Sequence, residues 1–335
     1  MRLPRFDHVK PETVEQALSL LASHREEAKI LAGGTDLLVR MKKGVLKPKV
    51  LISLGYLEEL SFIKKEKDSI IIGSRTPLAD IIASGLIQIE ATALFQACEK
   101  IGAVTIQLHR GTIGGNILQD NRCHHYNQSA FHRSGRQACH KDGGKICYAR
   151  EEADRCNSTC QSDGACALVG LDAWITLSSK DRKRTIRLAE LYTDEGIKPH
   201  AIEPDELLLE IIIPVNGGRS AYQRLSYRSA IDYPIVCAAV LLIPSVKTAD
   251  EIGEARIVVG AMGRSPLFIA PASASLPGKK LTDIDAFKKA ADAAMDSAAT
   301  FAVHNVGATT LEYRNKMVSH VVYKALCEAS PVSGQ

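Results

Sequence analysis

The sequence predicts an α+β protein, with an α/β layer in its first half and an antiparallel sheet covered by helices in its second. Three patterns predict it. Strand-like runs alternate with helical periodicity over the first 120 residues, the alternation of an α/β layer. From about residue 180, strand candidates follow one another without helices between them, which reads as antiparallel pairing. Two long helical patterns then close the chain. At 335 residues it also exceeds what one hydrophobic core usually supports, so two domains are expected, divided near 175–185.

The elements follow in order. Residues 11–25 open with a capping signal and carry Val14, Ala17, Leu18 and Leu21 at helical spacing. Residues 29–32 read as a short strand running into Gly33-Gly34-Thr35-Asp36, and a helix follows from Asp36 to Met41, ending near Gly44. Residues 50–54 and 69–73 are strands, and helical patterns return at 77–84 and 91–101. After a polar stretch the chain is apolar again at 167–169 and 173–177. Strands are expected at 183–187, 207–213, 221–227, 235–243 and 254–262, with a turn at 214–218. Residues 284–304 and 309–328 read as helices covering that sheet.

Composition excludes several function classes. The chain is 45% hydrophobic and 24% charged, as soluble globular proteins are. A net charge of +4, spread evenly, points to neither nucleic acid nor a membrane surface. The N-terminus lacks the apolar core of a signal peptide, and no apolar run reaches ~18 residues, so a cytoplasmic location is expected. No nucleophile is accompanied by an orienting His–Asp pair, and no catalytic residue is expected.

Two glycine turns carry the first chemical signal. A diphosphate needs backbone N–H groups converging on it, and glycine lets the chain approach closely or adopt positive φ. Ala32-Gly33-Gly34-Thr35-Asp36 lies between a strand and a helix N-terminus, and Thr35 can add its hydroxyl. Thr112-Ile113-Gly114-Gly115-Asn116 offers a second cradle, with Asn116 able to cap the helix or bond the ligand. Neither matches the G-x-G-x-x-G of nicotinamide folds or a P-loop, so a different dinucleotide fold is indicated.

Cysteines carry the second. Cys98, Cys237 and Cys327 sit in apolar surroundings and read as small core residues. The other six lie between 123 and 166, in a chain that does not need disulfides to fold. Metal ligation is favoured for at least four of them. Cys123, Cys139, Cys147 and Cys156 are spaced C-x15-C-x7-C-x8-C, and four thiolates are the number a cubane requires, one per iron. Zinc and a non-metal arrangement are the other readings, although Cys₄ zinc sites usually come as C-x₂₋₄-C pairs and none occurs among these four. His124, His125, His132 and His140 flank them and are expected to be solvated or to bond the loop backbone. Arg122, Arg133, Arg136, Lys141 and Lys145 make the stretch basic: either a solvated loop, or charges that would raise the potential of an anionic cluster and attract an acidic donor such as ferredoxin.

Lys29-Ile30-Leu31-Ala32-Gly33-Gly34-Thr35-Asp36-Leu37 and Thr112-Ile113-Gly114-Gly115-Asn116 resemble the two FAD pyrophosphate motifs of the flavin-binding medium subunits of molybdenum hydroxylases, the xanthine dehydrogenase and carbon monoxide dehydrogenase group. The resemblance covers nearly the whole chain. It implies an FAD-binding domain of two α/β subdomains over 1–178 and a CO dehydrogenase flavoprotein-like domain over 179–330. It implies FAD contacts from Lys29 to Asp36, from Thr112, Gly114, Gly115 and Asn116, and from Ala103, Asp163, Leu208 and Arg224. Arg224 stands in Tyr222-Gln223-Arg224-Leu225-Ser226-Tyr227-Arg228, which resembles the Y-Q-K-x-x-x-R signature with arginine in place of lysine.

The family's shorter form passes from T-I-G-G-N almost directly to an S-D segment, matched here by Ser162-Asp163. The insert at about 120–160 resembles that of the β subunits of 4-hydroxybenzoyl-CoA reductases, which implies an additional [4Fe–4S] cluster on Cys123, Cys139, Cys147 and Cys156, with Cys160 and Cys166 as rivals for the fourth position. The resemblance further implies an electron-transfer subunit partnered by a large molybdenum-cofactor subunit and a small subunit with two [2Fe–2S] clusters, in a dimer of heterotrimers. The implied reaction is reductive dehydroxylation to benzoyl-CoA. The alternatives are the flavin subunit of an aldehyde, xanthine or N-heterocycle dehydrogenase and, from a different class, a stand-alone flavin- or metal-binding module with no catalytic partner.

Overall fold

The structure is a computed structural model that describes residues 2–229, 231–301, 303 and 309–331. The chain begins with β1 (Asp7–Val9), α1 (Val14–His24), β2 (Ala28–Leu31), α2 (Leu37–Lys42) and β3 (Val50–Ser53). Its three strands pair in parallel in the order β1-β3-β2. Helix α1 starts where the sequence places it because Thr13 Oγ1 accepts from the Gln16 amide at 3.2 Å. The buried stripe Val14, Ala17, Leu18 and Leu21 then shares one core with Ile52 and Leu54.

The next elements are β4 (Ile63–Glu66), β5 (Ser69–Gly73), α3 (Leu78–Ala83), α4 (Gly85–Glu90), α5 (Thr92–Glu99), α6 (Gln107–Arg110), α7 (Ile113–Ile117), α8 (Ala130–Ser134), α9 (Asp163–Gly170), β6 (Trp174–Ser178), β7 (Lys183–Arg187) and β8 (Leu207–Pro214). Their strands form an antiparallel sheet in the order β4-β5-β8-β6-β7. Last come β9 (Arg219–Leu225), β10 (Val236–Pro244), β11 (Ile252–Gly260), β12 (Leu267–Phe268), α10 (Ala270–Ala274), α11 (Ile284–Ala298) and α12 (Leu311–Ala329). This sheet is antiparallel, β12-β11-β10-β9, with α11 and α12 against it. Small residues at Ala290, Ala291, Ala294 and Ala298 let the two helices approach, and Phe287 fills the core beneath them. The α+β reading holds.

Helix α9 joins the two halves. All eight of its residues are buried, and it packs against α5 on one side and β10 and β11 on the other. The apolar run at 167–169 is thus the end of a buried helix, which short apolar runs do not distinguish from a strand.

The grouping of strands differs from expectation. Residues 183–187 and 207–213 were expected to open the C-terminal sheet, but β7 and β8 belong to the five-stranded sheet. β8 is inserted between β5 and β6, pairing Ile70 with Ile213 and Ile175 with Ile211, and these side chains join the central core. An apolar or alternating run identifies a strand but not its neighbour, so the five-stranded sheet carries past residue 178 to Pro214. Two smaller differences stand beside it. α4 and α6 were not anticipated, and Thr112–Asn116, read as a turn, is the start of α7. Helix α11 ends at Ala298, and residues 302 and 304 of the helix expected over 284–304 lie outside the described residues. Among the described residues, no helix is long and apolar enough to cross a membrane.

Candidate functional site

A cleft of about 730 Å³ runs along the glycine turns, within the size range of cofactor sites. β2 feeds its end directly into Gly33–Asp36, which line the cleft together with Lys29, Ile30 and Ala32. Gly34 has φ +73°, the left-handed conformation glycine tolerates. Gly33 is required for a different reason: a Cβ there would lie 1.5 Å from the Arg110 carbonyl oxygen, so this turn presses on the chain that leads into the second one. Among the described residues, the amides of Gly33, Gly34, Thr35 and Asp36 donate to no protein acceptor. Successive backbone N–H groups without partners beside a positive-φ glycine form a concavity suited to an anion.

The second turn lines the same cleft through Thr112, Gly114, Gly115 and Asn116. Thr112 caps α7, accepting from the Gly115 amide at 3.1 Å. The Gly114 amide donates to the Ser74 carbonyl at 2.8 Å, and a Cβ at Gly114 would meet that oxygen at 2.6 Å. Close approach of chain to chain, not only of chain to ligand, therefore explains both Gly33 and Gly114. Asn116 turns its Oδ1 toward α9, accepting from Ser162 Oγ at 2.7 Å and the Gly164 amide at 3.1 Å. Its side chain fastens the turn to the buried helix.

Asp163 and Leu208 also line the cleft, whereas Leu31, Ala103 and Arg224 do not. Leu31 packs beneath Gly34, and the Ala103 carbonyl accepts from Ile106 and Gln107 ahead of α6. The Arg224 guanidinium reaches Asp163 at 3.0 Å, and Tyr222 donates its hydroxyl to the same carboxylate oxygen at 2.6 Å. Burial pushes the Asp163 carboxyl upward, opposed by the Arg224 charge and the Tyr222 hydrogen bond.

Arg40, Asp120, Arg122 and His200, not anticipated as cleft groups, complete it. Asp36 pairs with Arg122 at 2.5 Å and with Arg40 at 3.7 Å, and Arg40 reaches Asp120 at 3.0 Å. The Asp36–Arg40 spacing of four residues on α2 was the available signal for that pair. His200 lines the cleft and is held neutral, its pKa lowered to about 4 by burial. Nothing in the sequence marks it.

A second, smaller site lies in the insert. Antiparallel bonds between Arg122 and Thr159, at 2.8 and 2.9 Å, clamp its base. A bridge between Cys139 and Ile146, turned by Gly143 at φ +87°, brings Cys139 and Cys147 together. Cys123, Cys139, Cys147 and Cys156 all line one pocket with Tyr126 and Lys141. The amides of His125 and Tyr126 point at the Cys123 sulfur, although burial prevails and pushes that thiol up to about 11. Asn157 Nδ2 donates to Cys147 Sγ at 3.7 Å, and Gly196 presses on Cys156, where a Cβ would meet the sulfur at 2.7 Å. Of the flanking histidines, His140 bonds the loop backbone as expected, through the Ala153 carbonyl at 3.0 Å.

Cys160 and Cys166 lie elsewhere, in the central core. Cys160 donates its amide to Gly263, and burial pushes its thiol up to about 12; Cys166 packs against Cys237. Among the described residues, no three His, Cys, Asp or Glu side chains converge as a single ion requires. Zinc takes all four sulfurs at about 2.3 Å from one point, whereas a cubane spreads its thiolates over four irons. The four thiols are donors of the kind an iron–sulfur cluster takes, and the pocket they line measures about 10 Å³.

Comparison with known proteins adds the family. Residues 4–216 match the family model described as the FAD binding domain in molybdopterin dehydrogenase, and residues 220–329 that of the CO dehydrogenase flavoprotein C-terminal domain. The chain is 29% identical over 99% of its length to the 6-hydroxypseudooxynicotine dehydrogenase complex subunit alpha of Paenarthrobacter nicotinovorans, covering 98% of that protein. It is 28% identical over 83% of its length to the nicotinate dehydrogenase FAD-subunit of Eubacterium barkeri, covering 81% of that one. A chain of reconstituted CO dehydrogenase from Oligotropha carboxidovorans superposes with a TM-score of 0.78 at 26% identity, over 98% of this chain and 99% of that one. With its fold, its glycine-turn cleft and both domain models in agreement, the chain belongs to the FAD-binding flavoprotein family of the molybdopterin dehydrogenases, a family of oxidoreductase subunits.

Proposed function

We propose that this chain is the FAD and [4Fe–4S] electron-transfer subunit of a molybdenum-containing complex of the 4-hydroxybenzoyl-CoA reductase kind. The observation that carries the cluster is the sorting of the cysteines: four from the insert line one pocket, while Cys160 and Cys166 are buried in a separate core. The observation that supports flavin is the row of unpartnered amides from Gly33 to Asp36 in a cleft of cofactor size. Those amides would hold the pyrophosphate, and Thr35 and Thr112 stand beside them. Asp163, kept in place by Arg224 and Tyr222, and Leu208 would line the flavin farther along. A bound flavin supplies both one- and two-electron exchange, while the protein supplies placement and electrostatics.

The assembly is proposed from the relatives. Two are named as a complex subunit and an FAD-subunit of dehydrogenases, and another as the medium chain of carbon monoxide dehydrogenase. A large molybdenum subunit and a small [2Fe–2S] subunit would complete the enzyme as a dimer of heterotrimers, with a ferredoxin as donor. Cytoplasmic placement suits thiols that must stay reduced. We place the division between the FAD-binding and C-terminal domains between β8 and β9, beyond the 178/179 position expected from the sequence.

A second reading rests on the relatives' names, which are those of dehydrogenases and an aldehyde oxidoreductase: the flavin subunit of a dehydrogenase acting on an aldehyde or an N-heterocycle. Substrate would be bound by a partner chain in either case. Assay of the purified complex with 4-hydroxybenzoyl-CoA and a low-potential donor, against a panel of aldehydes and N-heterocycles, separates the two. Turnover of the thioester supports the reductase; oxidation of the panel with no thioester turnover replaces it with the second reading.

A further inference from the structure

The cleft and the cysteine pocket are joined by a line of charges. Arg122 meets Asp36 at 2.5 Å, Asp36 meets Arg40 at 3.7 Å, Arg40 meets Asp120 at 3.0 Å, and Asp120 meets Lys141 at 2.8 Å. Asp36 and Asp120 line the cleft; Lys141 lines the pocket with the four cysteines. The Lys141 side chain is 5% exposed and that of Asp120 9%, so solvent screens this end of the line weakly. Lys141 is also tied to three separate segments, donating to the Asn121 carbonyl at 3.1 Å, Ser158 Oγ at 3.3 Å and the Gly196 carbonyl at 2.8 Å. Ser158 and Gly196 in turn touch Cys156. Its ammonium lies 5.6 Å from the ring of Tyr126, another pocket residue.

We propose that Lys141 is a positioning residue shared by both sites: its buried positive charge sets how readily the group in the cysteine pocket is reduced and, through Asp120 and Arg40, biases the group in the cleft. The proposal rests on the reading that the pocket holds an iron–sulfur cluster and the cleft a flavin. A fixed cation beside a cofactor that gains negative charge on reduction stabilises the reduced form. Asp120 opposes it, and the line from Arg122 to Lys141 holds three cations against two carboxylates, so its balance favours reduction.

The test uses the intact complex, prepared anaerobically, as the parent and as Lys141→Gln, Lys141→Arg and Asp120→Asn. Iron and FAD per chain are measured, and both midpoint potentials are titrated, the cluster by electron paramagnetic resonance and the flavin by absorbance. Lys141→Gln lowers the reduction equilibrium constant of the cluster about tenfold, a 59 mV fall for one electron, with a smaller fall at the flavin. Lys141→Arg returns both toward the parent, and Asp120→Asn shifts them upward. Unmoved potentials with both cofactors retained, or shifts of the same sign in Lys141→Gln and Asp120→Asn, overturn the proposal. If Lys141→Gln fails to fold, the direction of the Asp120→Asn shift decides. A parent without iron rejects the cluster reading separately, and the flavin midpoint then decides the coupling by itself.

Discussion

Tyr222 donates its hydroxyl to Asp163 at 2.6 Å, joining the first turn of α9 to β9. Arg224, two residues along the same strand, reaches the same oxygen, so one carboxylate holds the C-terminal sheet against the helix that lines the cleft. Asp163→Ala leaves the Arg224 guanidinium buried without its counter-charge, which costs roughly 3–5 kcal/mol. Tyr222→Phe removes one hydrogen bond to a charged group, roughly 1.5–3 kcal/mol. Urea unfolding of the two single variants and the double tests this. The double is expected to lose less than the sum, and strict additivity would mean the groups act independently.

The glycines divide into those that pack and those that merely turn. Gly33→Ala sets a methyl 1.5 Å from a backbone oxygen, and Gly114→Val collides with Ser74, so both variants are expected to emerge from gel filtration without FAD. Gly115→Ala meets only Thr112 Oγ1 at 3.0 Å and should retain most of it. A Gly33→Ala protein with the parent's flavin absorbance contradicts the cradle.

Cys147→Ser is expected to lose iron while keeping FAD, because the pocket and the cleft are lined by separate side chains. Cys166→Ser, a change in the central core, should keep both cofactors. Metal analysis and flavin absorbance on the same samples give the answer, and equal iron in Cys147→Ser and parent removes Cys147 from the cluster.

His200 makes the flavin-free chain sensitive to acid. Its pKa is about 4 in the fold, against an ordinary value of 6.5, so between these values the unfolded chain binds a proton that the folded chain does not. Stability therefore falls as pH drops from 6.5 toward 4, by up to about 3 kcal/mol at 1.36 kcal/mol per unit. Urea unfolding at pH 7 and pH 5 should show this loss, and His200→Gln should remove His200's share of it. A pH dependence identical in variant and parent would assign the loss to other groups.

Much of the architecture was legible along the chain because local physics acts over a few residues. The Thr13 cap, the buried stripe of α1, the glycine after β2 and the apolar run of β10 each announce themselves within one segment. So did the cysteines of the insert, crowded into a polar stretch of the chain. The role of Gly33 was half legible: the residue type was right, but its neighbour is the carbonyl of Arg110, far along the sequence.

Pairing partners were beyond that reach. Whether β7 and β8 join the five-stranded sheet or the last depends on which core their buried faces enter, and both alternatives satisfy the same local pattern. Residue chemistry likewise could not tell Cys156 from Cys160: four positions apart, one faces the insert's pocket and the other the central core. The charge line from Arg122 to Lys141, and the neutral histidine at 200, exist only where distant segments meet. Side-chain types and short-range periodicity are properties of the chain itself, whereas burial, strand neighbours and ion pairs come from packing between segments that no local pattern specifies.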